Sequence, residues 1–69
     1  MNWDMIKGNW HQAKGKVKEH WGKLTDDDLT RMSGERDQLA GKLQERYGFA
    51  REEVERQLAE FEDSYGKRH

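Results

Sequence analysis

Apolar side chains recur every three or four residues along the chain, and this spacing sets the tightest limit on its fold. In the first third the steps are 4, 3, 4, 4 and 3, which at about 100° per residue keeps the side chains in one stripe of a helix. No segment alternates with period two, so strands are not expected. The three predicted stripes are Ile6, Trp10, Ala13, Val17, Trp21 and Leu24; Leu39, Leu43 and Tyr47 with Met32 and Ala40; and Val54, Leu58, Phe61 and Tyr65.

Glycines divide the helical pattern into two related parts. Segments 8–22 and 34–48 align with an offset of 26 residues, and six of their fifteen positions are identical. Each segment ends in a glycine that follows an aromatic residue, Gly22 or Gly48, where a left-handed residue would end a helix. The alignment favours an internal duplication. The glycines that carry it, each seven residues from the next, are Gly8, Gly15 and Gly22, and Gly34, Gly41 and Gly48.

Each half is predicted to be a helical hairpin within one domain, 1–69. The first hairpin covers about 3–33 and the second about 34–66, each with a long helix followed by another. The later helix of the first hairpin follows the N-cap candidate Thr25. The sequence therefore predicts an all-α domain of four helices that share one aromatic-rich core.

The composition suits a small, hydrophilic, folded domain. Only 32% of the residues are apolar and 39% are charged, with a mean hydropathy of −1.37. Thirteen basic residues nearly cancel fourteen acidic ones, and seven aromatics supply apolar surface, so the chain is expected to fold with limited stability. The absence of cysteine excludes disulfides and thiolate metal sites. Apolar runs no longer than two residues predict neither a membrane span nor a signal peptide, and therefore a cytoplasmic protein.

Residues that would carry catalysis or bind a metal do not form a recognisable pattern. His11 and His20 are nine positions apart, which puts them on opposite sides of a helix, and His69 is far along the chain. The acidic run 26–28 lacks the spacing of a calcium loop. No hydroxyl lies in a nucleophile motif. We expect no catalytic residue, no metal, no cofactor and no small-molecule substrate.

The first helix carries a basic, tryptophan-containing face. Residues 1–24 hold five lysines against two acidic residues. Such a face could bind nucleic acid or an anionic membrane, with tryptophans that stack or insert. The alternative, which the helical spacing favours, places the tryptophans in the core and the lysines along its solvated border. The candidate interaction surface consists of Trp3, Lys7, Trp10, His11, Lys14, Lys18 and Trp21.

The last helix is acidic. Residues 49–65 carry six acidic side chains against two arginines. They form a solvated face, complement the first helix within the fold, or pair with the first helix of another copy in a weak homodimer.

Three segments resemble a known family. They are Gly8 to Glu19 with its Gly-Lys pair, Trp21 to Asp28 with its Leu-Thr-Asp-Asp-Asp turn, and Arg36 to Gly48. Together they are similar to the CsbD-like bacterial general stress-response family, particularly its YjbJ-type members. The resemblance implies two crosswise-packed helical hairpins, like those of a SAM domain, in a cytoplasmic protein induced by stress. Because the family has no established enzymatic activity, the resemblance transfers no catalytic residues.

Three functional hypotheses follow. The first is a non-enzymatic stress protein that acts as a hydrophilic protectant. The second is a binding module for nucleic acid or anionic membrane through the first helix. The third, an adaptor for another protein, rests on analogy of fold alone.

Overall fold

The computed structural model describes residues 3–67, and side chains as far as Tyr65; every regular element in that range is an α-helix. The all-α prediction is confirmed. Consecutive helices pack against each other along the chain. The predicted hairpin boundaries and the SAM-like arrangement stay predictions. The helices are α1 (Trp3–Gly8), α2 (Trp10–His20), α3 (Asp26–Met32), α4 (Arg36–Tyr47) and α5 (Arg51–Lys67).

The predicted first long helix is divided in two at Asn9. The Asn9 backbone leaves helical geometry (φ −118°, ψ 31°). Its N–H donates to the carbonyl of Ile6, three residues back, at 3.2 Å, which closes a tighter turn than the α-helical bond to the fourth residue back. Its own carbonyl accepts from the N–H of Gln12 and of Ala13, which starts α2. Gly8 and Asn9 are both weak helix formers, which explains the break. The described chain therefore has one helix more than the sequence predicted.

The two glycines predicted to end helices behave differently. Gly48 is left-handed (φ 74°), and its N–H donates to the Gln44 carbonyl at 2.9 Å, as predicted. The prediction is wrong for Gly22, because α2 is closed by Trp21 (φ −124°, ψ 84°) and Gly22 has no positive φ. The chain turns further after Trp21, and the Leu24 N–H donates to its carbonyl at 3.1 Å. This turn brings Leu24 into the core, where 1% of it is exposed.

Helix α3 begins with a reciprocal cap. The Thr25 hydroxyl accepts from the Asp28 N–H at 3.0 Å, and the Asp28 carboxylate accepts from the Thr25 N–H at 3.1 Å. This capping box satisfies two backbone donors that a helix start otherwise leaves unpaired. The prediction of Thr25 as N-cap is confirmed.

One apolar core joins all five helices, and it contains the predicted stripes. Val17 and Leu43, at equivalent positions of the repeat, are both fully buried. Trp10, Tyr47 and Tyr65 are half-buried at its border, together with Phe49. The buried apolar residues are Trp3, Ile6, Ala13, Val17, Trp21, Leu24, Leu29, Met32, Leu39, Ala40, Leu43, Val54, Leu58 and Phe61.

Candidate functional site

The seven residues of the candidate interaction surface lie on α1, on α2 and at the end of α2. The structure separates them by burial. Trp3 and Trp21 are buried in the core, and Trp10 is half-buried at its border. The remaining four reach the surface: Lys7, His11 and Lys18 are exposed, and Lys14 is half-buried.

The three indole N–H groups donate to partners inside the protein. Trp3 donates to the Gly34 carbonyl at 2.6 Å, and Trp10 to the Leu29 carbonyl at 2.9 Å. Trp21 donates to the Gln57 side-chain oxygen at 2.7 Å. Each bond joins helices α1–α2 to a distant part of the chain. The indoles thus satisfy their polar atoms within the fold, as buried tryptophans generally do.

The Trp21 ring lies at the centre of an aromatic cluster. The Phe61 ring on α5 is 5.2 Å from it, and the His20 ring packs edge-on at 4.4 Å. Trp3 reaches the same Phe61 ring at 6.2 Å. These centroid distances are typical of stabilising aromatic pairs. The cluster connects the first and last helices.

Two of the surface lysines hold carboxylate partners. Lys7 forms an ion pair with Glu35 at the start of α4, and this hydrogen bond raises the pKa of Lys7. Lys18 donates to Asp26 at 2.9 Å, which lowers the pKa of that carboxyl. Lys14 makes no ion pair with any side chain in the described part of the protein. Exposed pairs of this kind contribute little to stability, so their lysines remain available to other anions.

An open groove of about 390 Å³ runs between α2 and α3, beside these lysines. Leu29 and the backbone of Gly15 contribute apolar lining, whereas Lys14, Lys18 and Asp26 bring charge to it. The structure thus places three of the predicted surface residues around one groove. The full lining is His11, Gln12, Lys14, Gly15, Lys18, Asp26 and Leu29.

The strongest polar cluster was not predicted as a cluster from the sequence. Asp28 is 4% exposed, and Arg46 on α4 donates to both of its carboxylate oxygens, at 3.1 and 3.2 Å. Lys42 approaches the same carboxylate at 3.6 Å. Hydrogen bonds from Arg46, followed by that from the Thr25 N–H, lower the pKa of Asp28 to about 2. This cluster fixes α3 against α4, and it leaves the carboxylate fully engaged.

We predict that Asp28→Asn removes part of the acid sensitivity of the fold. Since the folded-state pKa lies below the unfolded value of about 3.9, Asp28 stabilises the protein above pH ~4. That stabilisation is lost as pH falls towards 2. The variant should therefore be less stable near neutral pH and should approach wild type near pH 2. Urea midpoints measured from pH 2 to 7 test this, with Asp27→Asn in the exposed Asp27–Arg31 pair as the control. Parallel pH profiles of wild type and Asp28→Asn would contradict it.

Neither metal binding nor membrane spanning has a candidate among the residues that the structure describes. Between residues 3 and 67 no group of three or more His, Cys, Asp or Glu side chains is arranged to hold a metal ion. His69 lies outside the described residues. No helix in that same range has the length and apolar character needed to cross a bilayer.

Comparison with known proteins gives a consistent assignment. A family profile described as CsbD-like matches residues 4–56. The UPF0337 protein YjbJ of Escherichia coli O6:H1 is 58% identical over 69 residues, which span the whole of this chain and 94% of that protein. The UPF0337 protein ECA0631 of Pectobacterium atrosepticum is 57% identical over 94% of each chain. The UPF0337 protein pc0632 of Protochlamydia amoebophila is 51% identical over 94% of this chain and 98% of its own. The chain belongs to the CsbD-like family of bacterial stress-response proteins.

Proposed function

We propose that this protein acts in the cytoplasm as a non-catalytic, hydrophilic protectant during stress. The observation that carries the proposal is the division between its interior and its surface. Three of the seven aromatic side chains are buried and the other four are half-buried, and Met5, at 54%, is the one large hydrophobic side chain that is exposed among the described residues. A surface with so few exposed large apolar side chains gives little drive to association, even in a crowded or drying solution.

Ion pairs between arginine and glutamate side chains lie along the exposed side of α5. Arg56 pairs with Glu53 at 2.5 Å and with Glu60 at 2.7 Å, and Arg51 pairs with Glu55 at 3.0 Å. Such exposed pairs add little stability and remain hydrated. They support the proposal because a dense mixture of charges holds water without creating a strong field of one sign. They also engage carboxylates that would otherwise complement the basic first helix of another copy; a weak homodimer stays a prediction.

The polar side chains also support a non-catalytic role. The Ser33 hydroxyl donates to the Thr30 carbonyl at 3.2 Å, and Asp28 is held by Arg46 and Thr25. A general base needs a free lone pair within reach of its substrate, and a nucleophile needs such a base beside it. Neither group has that arrangement.

The protectant proposal predicts a measurable gain in the survival of other proteins. A heat-labile dehydrogenase would be dried or heated with this protein or with an equal mass of an inert, compact small protein. We expect more residual activity in the presence of this protein, because its many charged, hydrated side chains keep the labile molecules apart. Equal residual activity in the two mixtures would contradict the proposal.

A second candidate function is binding of the phosphate backbone of nucleic acid in the groove between α2 and α3. The observation that favours it is Lys14, half-buried beside Lys18 and without an ion-pair partner in the described part of the chain. Because Trp3 and Trp21 lie in the core, they supply neither stacking nor membrane insertion, and the lysines must provide the affinity. A low-salt titration with duplex DNA tests this, and anionic vesicles form its second arm. Binding should weaken steeply with added salt and in Lys14→Gln.

A further inference from the structure

Two glycines in the middle of helices have no packing reason to be glycine. Gly15 in α2 and Gly41 in α4 are exposed, and neither has a positive φ. A Cβ built at either position meets no neighbouring atom within 4 Å. Alanine would therefore fit at both sites, and it is the more stable residue in a helix interior. Helices α2 and α4 are therefore less stable than they would be with alanine at these two positions.

The same two helices also begin without side-chain caps. Asn9 precedes α2 and Glu35 precedes α4, and neither side chain makes a capping hydrogen bond. Helix α3, by contrast, has the complete capping box of Thr25 and Asp28. A missing cap weakens a helix further. The two helices that flank α3 thus lack a side-chain cap at the N-terminus and also contain a glycine in the interior.

The unfolded chain is suited to remain soluble and to refold. It is 39% charged, and no apolar run exceeds two residues. It therefore offers no continuous apolar segment for β-aggregation. It contains neither proline nor cysteine, so proline isomerisation and disulfide exchange do not slow refolding.

We propose that the native fold is a low-stability resting form, and that reversible unfolding under stress releases the active protectant. This inference rests on the proposed protectant function and places its activity in the unfolded chain, whereas the folded form, with its core aromatic rings buried, is the inactive store. Unfolding would expose seven aromatic side chains, which stand at separate positions along a highly charged chain. These side chains contact the apolar surface of a damaged protein, while the neighbouring charges keep the complex hydrated. The helix-interior glycines set the temperature at which this begins.

Three proteins with the same net charge test the proposal: wild type, Gly15→Ala/Gly41→Ala, and Gly48→Ala. The double variant should raise Tm by about 5–10 °C, because it strengthens two helix interiors. Gly48→Ala should lower Tm by about 4–8 °C, because residue 48 has a φ of 74° that alanine tolerates poorly. Circular dichroism at 222 nm measures the three midpoints, and a second heating scan measures reversibility.

Protection is then measured with the heat-labile dehydrogenase at temperatures that span the three midpoints. If unfolding releases the protectant, the onset of protection moves upward in the double variant and downward in Gly48→Ala, in step with Tm. Equal protection by all three proteins at every temperature would overturn the inference and leave the protectant function standing. No protection by any of them, relative to the inert protein, would overturn the protectant function itself. Aggregation on the first heating scan would also overturn the inference.

Discussion

In Trp21→Ala, most molecules are expected to be unfolded at physiological temperature. Trp21 is 2% exposed, and its ring contacts Phe61 of α5 at 5.2 Å. Truncation of a buried tryptophan costs about 3–5 kcal/mol, whereas a domain of this size has roughly 3–10 kcal/mol of total stability. Urea unfolding followed by circular dichroism measures the loss. A variant that keeps its helical signal and a near-wild-type midpoint would show that the ring is not part of the core.

The control for this prediction is Trp21→Phe. It keeps a six-membered aromatic ring beside Phe61, and it removes the five-membered ring of the indole together with the N–H that bonds Gln57 at 2.7 Å. Gln57 is half-buried, so water can replace the lost donor, but the smaller ring leaves a small cavity in the core. We expect a cost of about 1–3 kcal/mol, below that of Trp21→Ala. The comparison also bears on function. Reduced nucleic-acid binding by Trp21→Ala would result from unfolding of the protein. Reduced binding by Lys14→Gln would instead result from the loss of one positive charge at the surface.

The core was predictable because its signal is repeated and local. Ile6, Val17 and Leu43 lie on stripes that the sequence displays directly, and the structure buries all three. The break at Asn9 was not predicted, because the apolar spacing continues unchanged from Ile6 to Trp10. What separates α1 from α2 is a local change of hydrogen bonding at two weak helix formers. The spacing of apolar residues indicates which face of a helix is buried, but it does not indicate whether the helix is continuous.

The burial of the candidate surface residues could be predicted only in part, for a related reason. The spacing placed His11, Lys14 and Lys18 on one side of a helix, and all three line the same groove. Trp3 and Trp21 belong to the core, as the favoured alternative expected. Helical spacing places a residue on a face, but the other helices decide which part of that face is covered.

The cluster around Asp28 shows which part of a polar site can be found locally. Thr25 was predicted as the N-cap of α3, but the return hydrogen bond from its N–H to the Asp28 carboxylate was not. The partner Arg46 lies 18 residues away on another helix, and no local pattern indicates it. Long-range pairs of this kind depend on how α3 packs on α4. One sequence alone contains too little information to identify them.

Gly34→Ala is expected to destabilise the protein by about 2–3 kcal/mol, more than any other single glycine substitution considered above. Residue 34 lies in the α3–α4 turn with a φ of 84°, where alanine costs about 1–2 kcal/mol. A Cβ there would lie 3.2 Å from the Cα of Lys7, which is backbone and cannot rotate away. Helix α1 must shift, which adds a cost of overpacking. The shift also disturbs the hydrogen bond from Trp3 to the Gly34 carbonyl.

Gly48→Ala separates these two contributions. Residue 48 has a similar φ of 74°, but a Cβ there meets nothing within 4 Å. It should therefore cost only the backbone strain, about 1 kcal/mol. The difference between the two variants, measured from urea midpoints, gives the cost of displacing α1 from the turn. Equal losses would mean that α1 moves away freely, and that the contact of Lys7 with Gly34 contributes nothing to the fold. A larger loss in Gly34→Ala is expected because the glycine is needed there for space as well as for its backbone angle.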